Sequence, residues 1–229
     1  NLDNNLENTV IVAATSDESA LMRKYGAFTA MAIAEFFRDK GHDVLLMMDS
    51  VTRFAMAQRE IGLSTGEPPV SRGYPPSVFA LLPQLMERAG NNKKGSITAF
   101  FTVLVDGDDM NDPIADQSRS ILDGHIVLTR DLTEQGFYPP INLLKSASRV
   151  MDKVVTKEHY NDFLKLKRVL SLIKENEVLV RVGAYKVGMD LELDSAMAKK
   201  EQIREFLTQD TQKVVDFNET VATFRKVLQ

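Results

Sequence analysis

The chain has 229 residues, of which 28 are Lys or Arg and 32 are Asp or Glu, so its formal net charge is −4. A hydrophobic fraction of 44% excludes an intrinsically disordered chain, and the slightly acidic balance disfavours a dedicated duplex-DNA-binding protein. Cysteine is absent, which excludes disulfides and thiolate metal sites and fits a reducing cytoplasm.

The first part of the chain alternates short apolar runs with helical patterns. Four of these runs predict buried strands: residues 9–14, 44–48, 97–105 and 125–128. Between the first two, Ser16 or Asp17 is placed to cap a helix that continues to Lys40 and ends at Gly41. Apolar strands that alternate with helices are typical of a parallel sheet covered by helices on both faces.

The remaining pattern divides into a loop and a helical region. Residues 66–76 are so rich in Gly and Pro that they predict a rigid exposed loop, either functional or a plain connector. Beyond about residue 153 the strand patterns end, and apolar residues recur at helical spacing, with a last stripe through Val214, Phe217, Val221, Phe224 and Leu228. We therefore predict an α/β domain over residues 1–153 and a helical domain over residues 154–229.

The apolar run at 44–48 ends abruptly in Asp49. Because ligands bind at the carboxyl ends of parallel strands, this carboxylate is placed to hold Mg²⁺ through water and so to screen nucleotide phosphates. The alternative is that Asp49 and Ser50 only cap the helix that follows. Arg53, about one turn further on, would lie beside a phosphate or simply pair with Asp49.

A second candidate site follows the loop at residues 138–142. Arg149 comes directly after small hydroxyl residues, and a loop of this kind can present an arginine to a neighbouring subunit's nucleotide; the alternative is a surface arginine at a domain junction. Tyr138, followed by two prolines, is either rigid enough to stack on a base or packed as a turn residue. The three histidines share no ligand spacing, and we interpret them as structural.

These motifs together resemble the second half of the catalytic core of the rotary hexameric ATPases, the family of the F-type and V-type head subunits and the type III secretion ATPases. The run ending at Asp49 resembles the family's Walker B strand. Residues 139–142, with Ser146 and Ser148, resemble its signature near the intersubunit arginine. The resemblance covers essentially the whole chain and implies a RecA-like parallel-sheet core, here incomplete, followed by an α-helical domain.

Three stretches look specifically like the type III export ATPases: residues 66–79, residues 107–127, and residues 182–196. Residues 182–196 occupy the region where ATP-synthase catalytic subunits carry an acidic lever loop, and they contain no such acidic cluster. Residues 71–76 resemble the flagellar branch most closely. The alternatives are a head subunit of an F-type or V-type ATPase, or a non-catalytic module that binds ring neighbours or the stalk. A nucleic-acid-translocating hexamer is disfavoured because no basic stripe with interleaved aromatics is present.

The resemblance also implies roles for individual residues in binding ATP and Mg²⁺. Asp49 would coordinate Mg²⁺, and Arg53 would support the phosphate site. Arg149 would be the catalytic arginine finger donated to the adjoining subunit. Tyr138 would stack on adenine with Phe217 beside the base, although Phe217 also belongs to the apolar stripe of the last helix.

One family element has no counterpart in the sequence, the phosphate-binding loop of the form GxxxxGK[ST]. The family carries this loop and its catalytic glutamate upstream of the region that this chain resembles. Because the chain begins with Asn1 and not Met, we expect a piece of a longer ATPase that hydrolyses no ATP by itself.

For the complete protein, the resemblance implies an assembly at the bacterial membrane. It implies a homohexameric ring, a central-stalk protein, a regulatory subunit, and export substrates with their chaperones. It further implies a cytoplasmic location, peripheral at the inner face of the membrane beside an export gate. The longest apolar run of this chain, residues 99–105, is far too short to cross a bilayer.

Overall fold

The computed structural model describes residues 6–228. Internal contacts divide the chain into two compact units, the first ending at Leu122 and the second beginning at Asp123. The predicted domains, 1–153 and 154–229, divide the chain at a different place and stay a prediction. None of the helices in the described range combines the length and the apolarity needed to cross a membrane.

The first unit contains a small mixed sheet and four longer helices within the described residues. Its elements are α1 (Ala20–Asp39), β1 (Asp43–Met48), α2 (Val51–Ser64), α3 (Pro76–Met86), β2 (Gly90–Asn91), β3 (Ser96–Phe101) and α4 (Pro113–Ile121). The strand order is β1-β3-β2, with β1 parallel to β3 and β2 antiparallel to it. The parallel pairing of β1 with β3 confirms that part of the prediction, although β3 ends at Phe101, four residues early.

The first helix begins later than predicted. Its N-cap is Ser19, whose Oγ accepts from the Met22 N–H, and not Ser16 or Asp17. The carboxylate of Asp17 instead accepts from the hydroxyl of Thr15, a hydrogen bond that lowers the pKa of Asp17. The predicted end is confirmed, because Gly41 has a φ of 95°, a backbone conformation that side chains disfavour.

One face of the sheet is covered by helices, and the other is not. Leu46 of β1 and Ile97 of β3 lie in a buried core with Met31 of α1 and with α2 and α3. Leu45 and Met47 alternate with these buried positions and are 61% and 75% exposed. The prediction of helices on both faces is therefore wrong for the described residues, because every helix in this core packs on the side of Leu46.

The predicted strand at residues 9–14 is also wrong. The segment has no regular secondary structure, and Val10 and Ile11 are 56% and 64% exposed. An apolar run becomes a buried strand only when other strands pair with it, and no ladder or bridge within residues 6–228 includes this segment.

The second unit is mainly helical. Its elements are β4 (Gly124–His125), α5 (Arg130–Glu134), β5 (Ala147–Ser148), α6 (Met151–Val154), α7 (Lys157–Glu175), α8 (Glu177–Arg181), α9 (Leu191–Leu207) and α10 (Phe217–Leu228). The predicted strand at 125–128 shrinks to β4, which pairs antiparallel with β5 and does not join the parallel sheet. Gly124 permits this pairing, since a Cβ there would lie 2.7 Å from the carbonyl oxygen of Ala147.

The helical pattern predicted beyond residue 153 is confirmed. Leu166 of α7, Ile203 of α9 and Phe224 of α10 form the buried core of this unit. The rings of Phe206 and Phe224 stack with their centroids 5.7 Å apart. Of the predicted stripe on the last helix, however, Val214 lies before α10 and is 96% exposed.

Candidate functional site

Asp49 lies at the carboxyl end of β1, as predicted. In the parallel ladder Met48 is opposite Phe101, so that Asp49 and Thr102 leave the two strands side by side. The side chain of Asp49 is exposed, and its Oδ1 accepts a hydrogen bond from the Thr102 hydroxyl at 3.0 Å. Because neighbouring parallel strands end at one edge of the sheet, this edge carries a carboxylate held from the adjacent strand.

The helix cap at this point is Ser50 and not Asp49. Ser50 is buried, and its Oγ accepts from the Arg53 N–H at 3.3 Å at the start of α2. Since the cap is occupied by a neutral hydroxyl, the Asp49 carboxylate is not used to terminate the helix. The structure therefore disfavours the reading of Asp49 as a helix cap.

Arg53 occupies the exposed side of the first turn of α2. Within the described residues its guanidinium makes no ion pair, with Asp49 or with any other carboxylate. The alternative in which Arg53 simply neutralises Asp49 is therefore not realised. The result is a cation and an anion that are both exposed near the end of β1.

The donor set at this edge fits Mg²⁺ bound together with a nucleotide. No group of three or more Asp, Glu, His or Cys side chains gathers in residues 6–228, so the described chain offers no protein-only metal cage. Magnesium usually keeps several water ligands and is held by one or two carboxylates plus substrate phosphates. A single exposed carboxylate with a hydroxyl beside it meets that requirement.

The second unit carries Arg149 on a hydrogen-bonded loop. The Arg149 N–H donates to the carbonyl of Asp123 at 2.7 Å, directly after β5, and its side chain is exposed. The hydroxyl of Ser146 accepts from the Val127 N–H at 2.9 Å and donates to the carbonyl of Asn142 at 2.7 Å. The predicted stabilisation of this loop by a small hydroxyl residue is thus present.

The two aromatic candidates also lie in the second unit, and both are accessible. Tyr138 is 47% exposed, and its carbonyl accepts from the Gln209 N–H at 2.8 Å. Phe217 is 67% exposed at the first position of α10, with its ring 6.4 Å from that of His159. Phe217 is therefore at the edge of the helical core and not inside it, and no ring contact joins it to Tyr138 among the described residues.

Sequence reasoning missed Thr102. In the predicted strand over residues 97–105, Thr102 is an ordinary interior position. The signal that marks it is the register: Thr102 follows Phe101 as Asp49 follows Met48, and this equivalence requires the pairing of β1 with β3. The structure brings Asp49 and Thr102 into contact, with Arg53 in the first turn of the helix that follows, whereas Arg149, Tyr138 and Phe217 belong to the second unit.

Comparisons with known proteins cover nearly the whole chain. Residues 2–148 match the model of the ATP synthase alpha/beta family, nucleotide-binding domain, and residues 155–226 match the T3SS EscN ATPase C-terminal domain. The "Flagellum-specific ATP synthase" of Helicobacter pylori is 58% identical over an alignment of 230 positions, which covers 100% of this chain and 53% of that protein. The chain therefore spans about half the length of this curated relative.

Solved structures of type III secretion ATPases are also similar to this chain over nearly its whole length. The assembled ATPase EscN from the enteropathogenic E. coli type III secretion system is 51% identical with a TM-score of 0.92, over 94% of this chain and 52% of that one. EscN in complex with its central stalk EscO is 50% identical with a TM-score of 0.87, over 94% of this chain and 52% of that chain. These likenesses confirm the predicted fold class, an α/β core followed by a helical region.

Proposed function

This chain belongs to the ATP synthase alpha/beta family, and from that premise we propose that it forms part of a flagellar protein-export ATPase. The complete protein would hydrolyse ATP at the interfaces between its subunits. The observation that carries the proposal is the exposed Asp49 carboxylate at the carboxyl end of β1, which neither caps a helix nor forms an ion pair among the described residues. The greater identity to the flagellar relative favours the flagellar branch over the virulence branch.

Catalysis of phosphoryl transfer depends mainly on positioning and on stabilising negative charge. Asp49 would hold Mg²⁺ through water beside the nucleotide phosphates, and the exposed guanidinium of Arg53 would contribute further positive charge. Bound Mg²⁺ neutralises charge on the phosphate oxygens. Asp49 and Arg53 would thus help to orient the triphosphate end, together with the phosphate-binding loop that this sequence does not contain.

Arg149 would act on the nucleotide of an adjoining subunit. Its loop is held by the Ser146 hydroxyl and by the hydrogen bond from its own N–H to Asp123, while its side chain remains exposed. A fixed backbone at an exposed residue suits an arginine finger, which typically contributes about 10³ to 10⁵ in rate. This role requires a homo-oligomer, and we propose a hexameric ring.

The adenine end would be bound by aromatic side chains. Tyr138 and Phe217 are both about half exposed or more, and the Tyr138 backbone is tied to Gln209. An exposed ring on a fixed backbone offers a stacking face for a base at low entropic cost. Thr211, which lies where ATP-synthase catalytic subunits place a further Phe, suggests a looser pocket for the base.

The proposed partners follow from the relatives. EscN is described in complex with its central stalk EscO, which supports a stalk protein as a partner of this chain in its assembled form. By the same resemblance we propose a regulatory subunit, export substrates and their chaperones as further partners. The assembly would act in the cytoplasm at the inner face of the membrane, beside the export gate.

The test uses the complete gene product, with turnover measured in Mg²⁺ and ATP. Asp49→Asn and Arg149→Ala should each lower the rate about 1,000-fold or more, whereas Lys145→Ala, an exposed cation on the same loop, should leave it unchanged. The unextended chain of 229 residues is expected to show no turnover. Normal rates for both site variants would refute the proposal.

Co-expression distinguishes a finger that acts on a neighbour from one that acts within its own subunit. In mixed rings, an Arg149→Ala subunit retains Asp49 and can receive the arginine of an Asp49→Asn neighbour. If the two variants mix at random, about a quarter of the interfaces contain both intact groups, so activity should return toward that fraction. No recovery in rings shown to be mixed would contradict the intersubunit role of Arg149.

A further inference from the structure

The backbone of Thr102 forms hydrogen bonds to residues on both sides of Asp49 in the sequence. Its N–H donates to the carbonyl of Met48 at 3.0 Å, and its carbonyl accepts from the N–H of Val51 at 3.0 Å. These two hydrogen bonds continue the β1–β3 pairing across the residues just before and just after Asp49–Ser50. The position of Thr102 relative to Asp49 is therefore set by strand register and not by a flexible side chain.

The segment that follows Thr102 is also fixed to α2. The Leu104 N–H donates to the Thr52 hydroxyl at 2.8 Å, and that hydroxyl lies 3.2 Å from the Leu104 carbonyl oxygen. Thr52 is 7% exposed, so this contact is largely shielded from water. Thr102 is consequently held on both sides, by β3 before it and by the Thr52 contact after it.

The hydroxyl of Thr102 has two acceptors within reach. It lies 3.0 Å from Asp49 Oδ1 and 3.2 Å from the Met48 carbonyl oxygen, which already accepts the Thr102 N–H. A hydroxyl carries one proton, and a carboxylate is a stronger acceptor than an amide carbonyl. The proton is therefore donated to Asp49.

Asp49 depends on this one contact. Within the described range, the Thr102 hydroxyl is the donor to its carboxylate, and Oδ2 accepts no hydrogen bond. An exposed carboxylate without such a donor rotates among several rotamers. One hydroxyl on Oδ1 thus orients the group and leaves Oδ2 available to a ligand.

We propose that Thr102 is a positioning residue that orients the Asp49 carboxylate toward a divalent cation bound with the nucleotide. The inference rests on the proposed function, in which Asp49 holds Mg²⁺ through water. Residues that hydrogen-bond to a metal-binding carboxylate commonly affect metal affinity by tenfold or more, and an exposed site falls at the low end. Loss of the Thr102 hydroxyl should therefore weaken cation binding without weakening binding of the nucleotide alone.

The experiment measures Mn²⁺ as a probe in the complete gene product with ATP, from the electron paramagnetic resonance signal of free Mn²⁺. Thr102→Val keeps the branched shape and removes the hydroxyl, and it should lower Mn²⁺ affinity about three- to tenfold. Thr102→Ser keeps the hydroxyl and should stay within about twofold of the unchanged protein. Thr98→Val is the matched control, because Thr98 is an exposed position of β3, the strand that precedes Thr102, and its hydroxyl makes no hydrogen bond within residues 6–228.

Two further measurements separate the possible failures. Binding of ATP in EDTA and the denaturation midpoint should be equal in all Thr102 variants, so a general loss of structure would be detected. If Asp49→Asn weakens Mn²⁺ binding and Thr102→Val does not, the role of Thr102 is refuted while the proposed function stands. The same role is refuted if Thr102→Ser is as weak as Thr102→Val. If Asp49→Asn binds Mn²⁺ normally, the proposed magnesium site itself is wrong.

Discussion

The guanidinium of Arg88 donates two hydrogen bonds to the carboxylate of Glu35, with Nε 2.9 Å from Oε1 and Nη2 2.5 Å from Oε2. Glu35 lies on α1, and Arg88 follows the end of α3, so the pair connects two helices of the first unit. The two side chains are only 25% and 30% exposed. Paired donation to a partly buried carboxylate is the geometry in which an ion pair contributes measurably to stability.

This pair predicts a pH-dependent contribution to stability. Hydrogen bonding from Arg88 lowers the pKa of Glu35 below its usual 4.5. A depressed folded-state pKa means that the stabilisation is fully present above that usual value and is lost as the pH falls through the lower, folded-state pKa. Glu35→Gln should therefore cost about 1 kcal/mol at neutral pH and progressively less in acid.

Urea unfolding at several pH values measures this effect. The control is Glu87→Gln, an exposed neighbour of Arg88 whose side chain makes no hydrogen bond or ion pair within residues 6–228. A Glu35→Gln cost that is unchanged between neutral and acid pH would show that the ion pair is not the source of the loss.

Gly95 is the glycine where we expect the largest effect of adding a methyl group. A Cβ there would lie 2.6 Å from the carbonyl oxygen of Arg38 and would also meet the backbone of His42. Because backbone atoms cannot move away as a side-chain end can, Gly95→Ala should destabilise the first unit by about 1 to 3 kcal/mol. Gly26→Ala is the control: its Cβ would lie 3.3 Å from that of Ala14, and alanine favours the helix, so the change should be under about 1 kcal/mol. Equal denaturation midpoints for the two variants would contradict the predicted clash.

The loop before α9 is closed by one carboxylate. Asp194 Oδ1 accepts from the Tyr185 hydroxyl at 2.5 Å, and its Oδ2 accepts from the Gly188 N–H at 2.7 Å. Tyr185→Phe removes the first of these contacts and frees the carboxylate to rotate. Amide hydrogen exchange at Gly188 should then become about three- to tenfold faster, with no change in the global denaturation midpoint. Tyr160→Phe is the control and should leave the exchange rate of the Gly188 amide unchanged. An unchanged rate in Tyr185→Phe would contradict the prediction that this contact orders the loop.

The core of the second unit should be sensitive at Ile203. This side chain is 1% exposed and packs with Leu166 and Phe224. Ile203→Ala should lower the free energy of unfolding by about 2 to 4 kcal/mol, because it removes buried methylene groups and leaves a cavity. Val214→Ala, at a position that is 96% exposed, should change it by less than about 0.5 kcal/mol. Guanidinium unfolding, followed through a probe in this unit, measures the difference. A loss of free energy of unfolding well below this range for Ile203→Ala would show that neighbouring side chains fill the cavity.

The errors in predicting the strands and their covering layers share one cause. Residues 9–14 and 125–128 have the composition of buried strands, yet the first is exposed and the second is mostly outside any ladder. Composition reports how well a segment suits a strand, whereas burial depends on a partner strand and a covering helix far away in the chain. The prediction of helices on both faces of the sheet failed for the same reason. Apolar composition suggested a second covering layer, whereas Leu45 and Met47 are exposed on the uncovered face.

The sequence by itself determined the features that depend on neighbours along the chain. These include the termination of α1 just before Gly41, the position of Asp49 after β1, and the helices beyond residue 153. They also include the family, because the comparisons confirmed the resemblance. Only the tertiary structure decided that the Asp49 carboxylate is held by Thr102. The reason is register: Asp49 and Thr102 are 53 positions apart, and they meet because β1 and β3 pair in parallel with Met48 opposite Phe101.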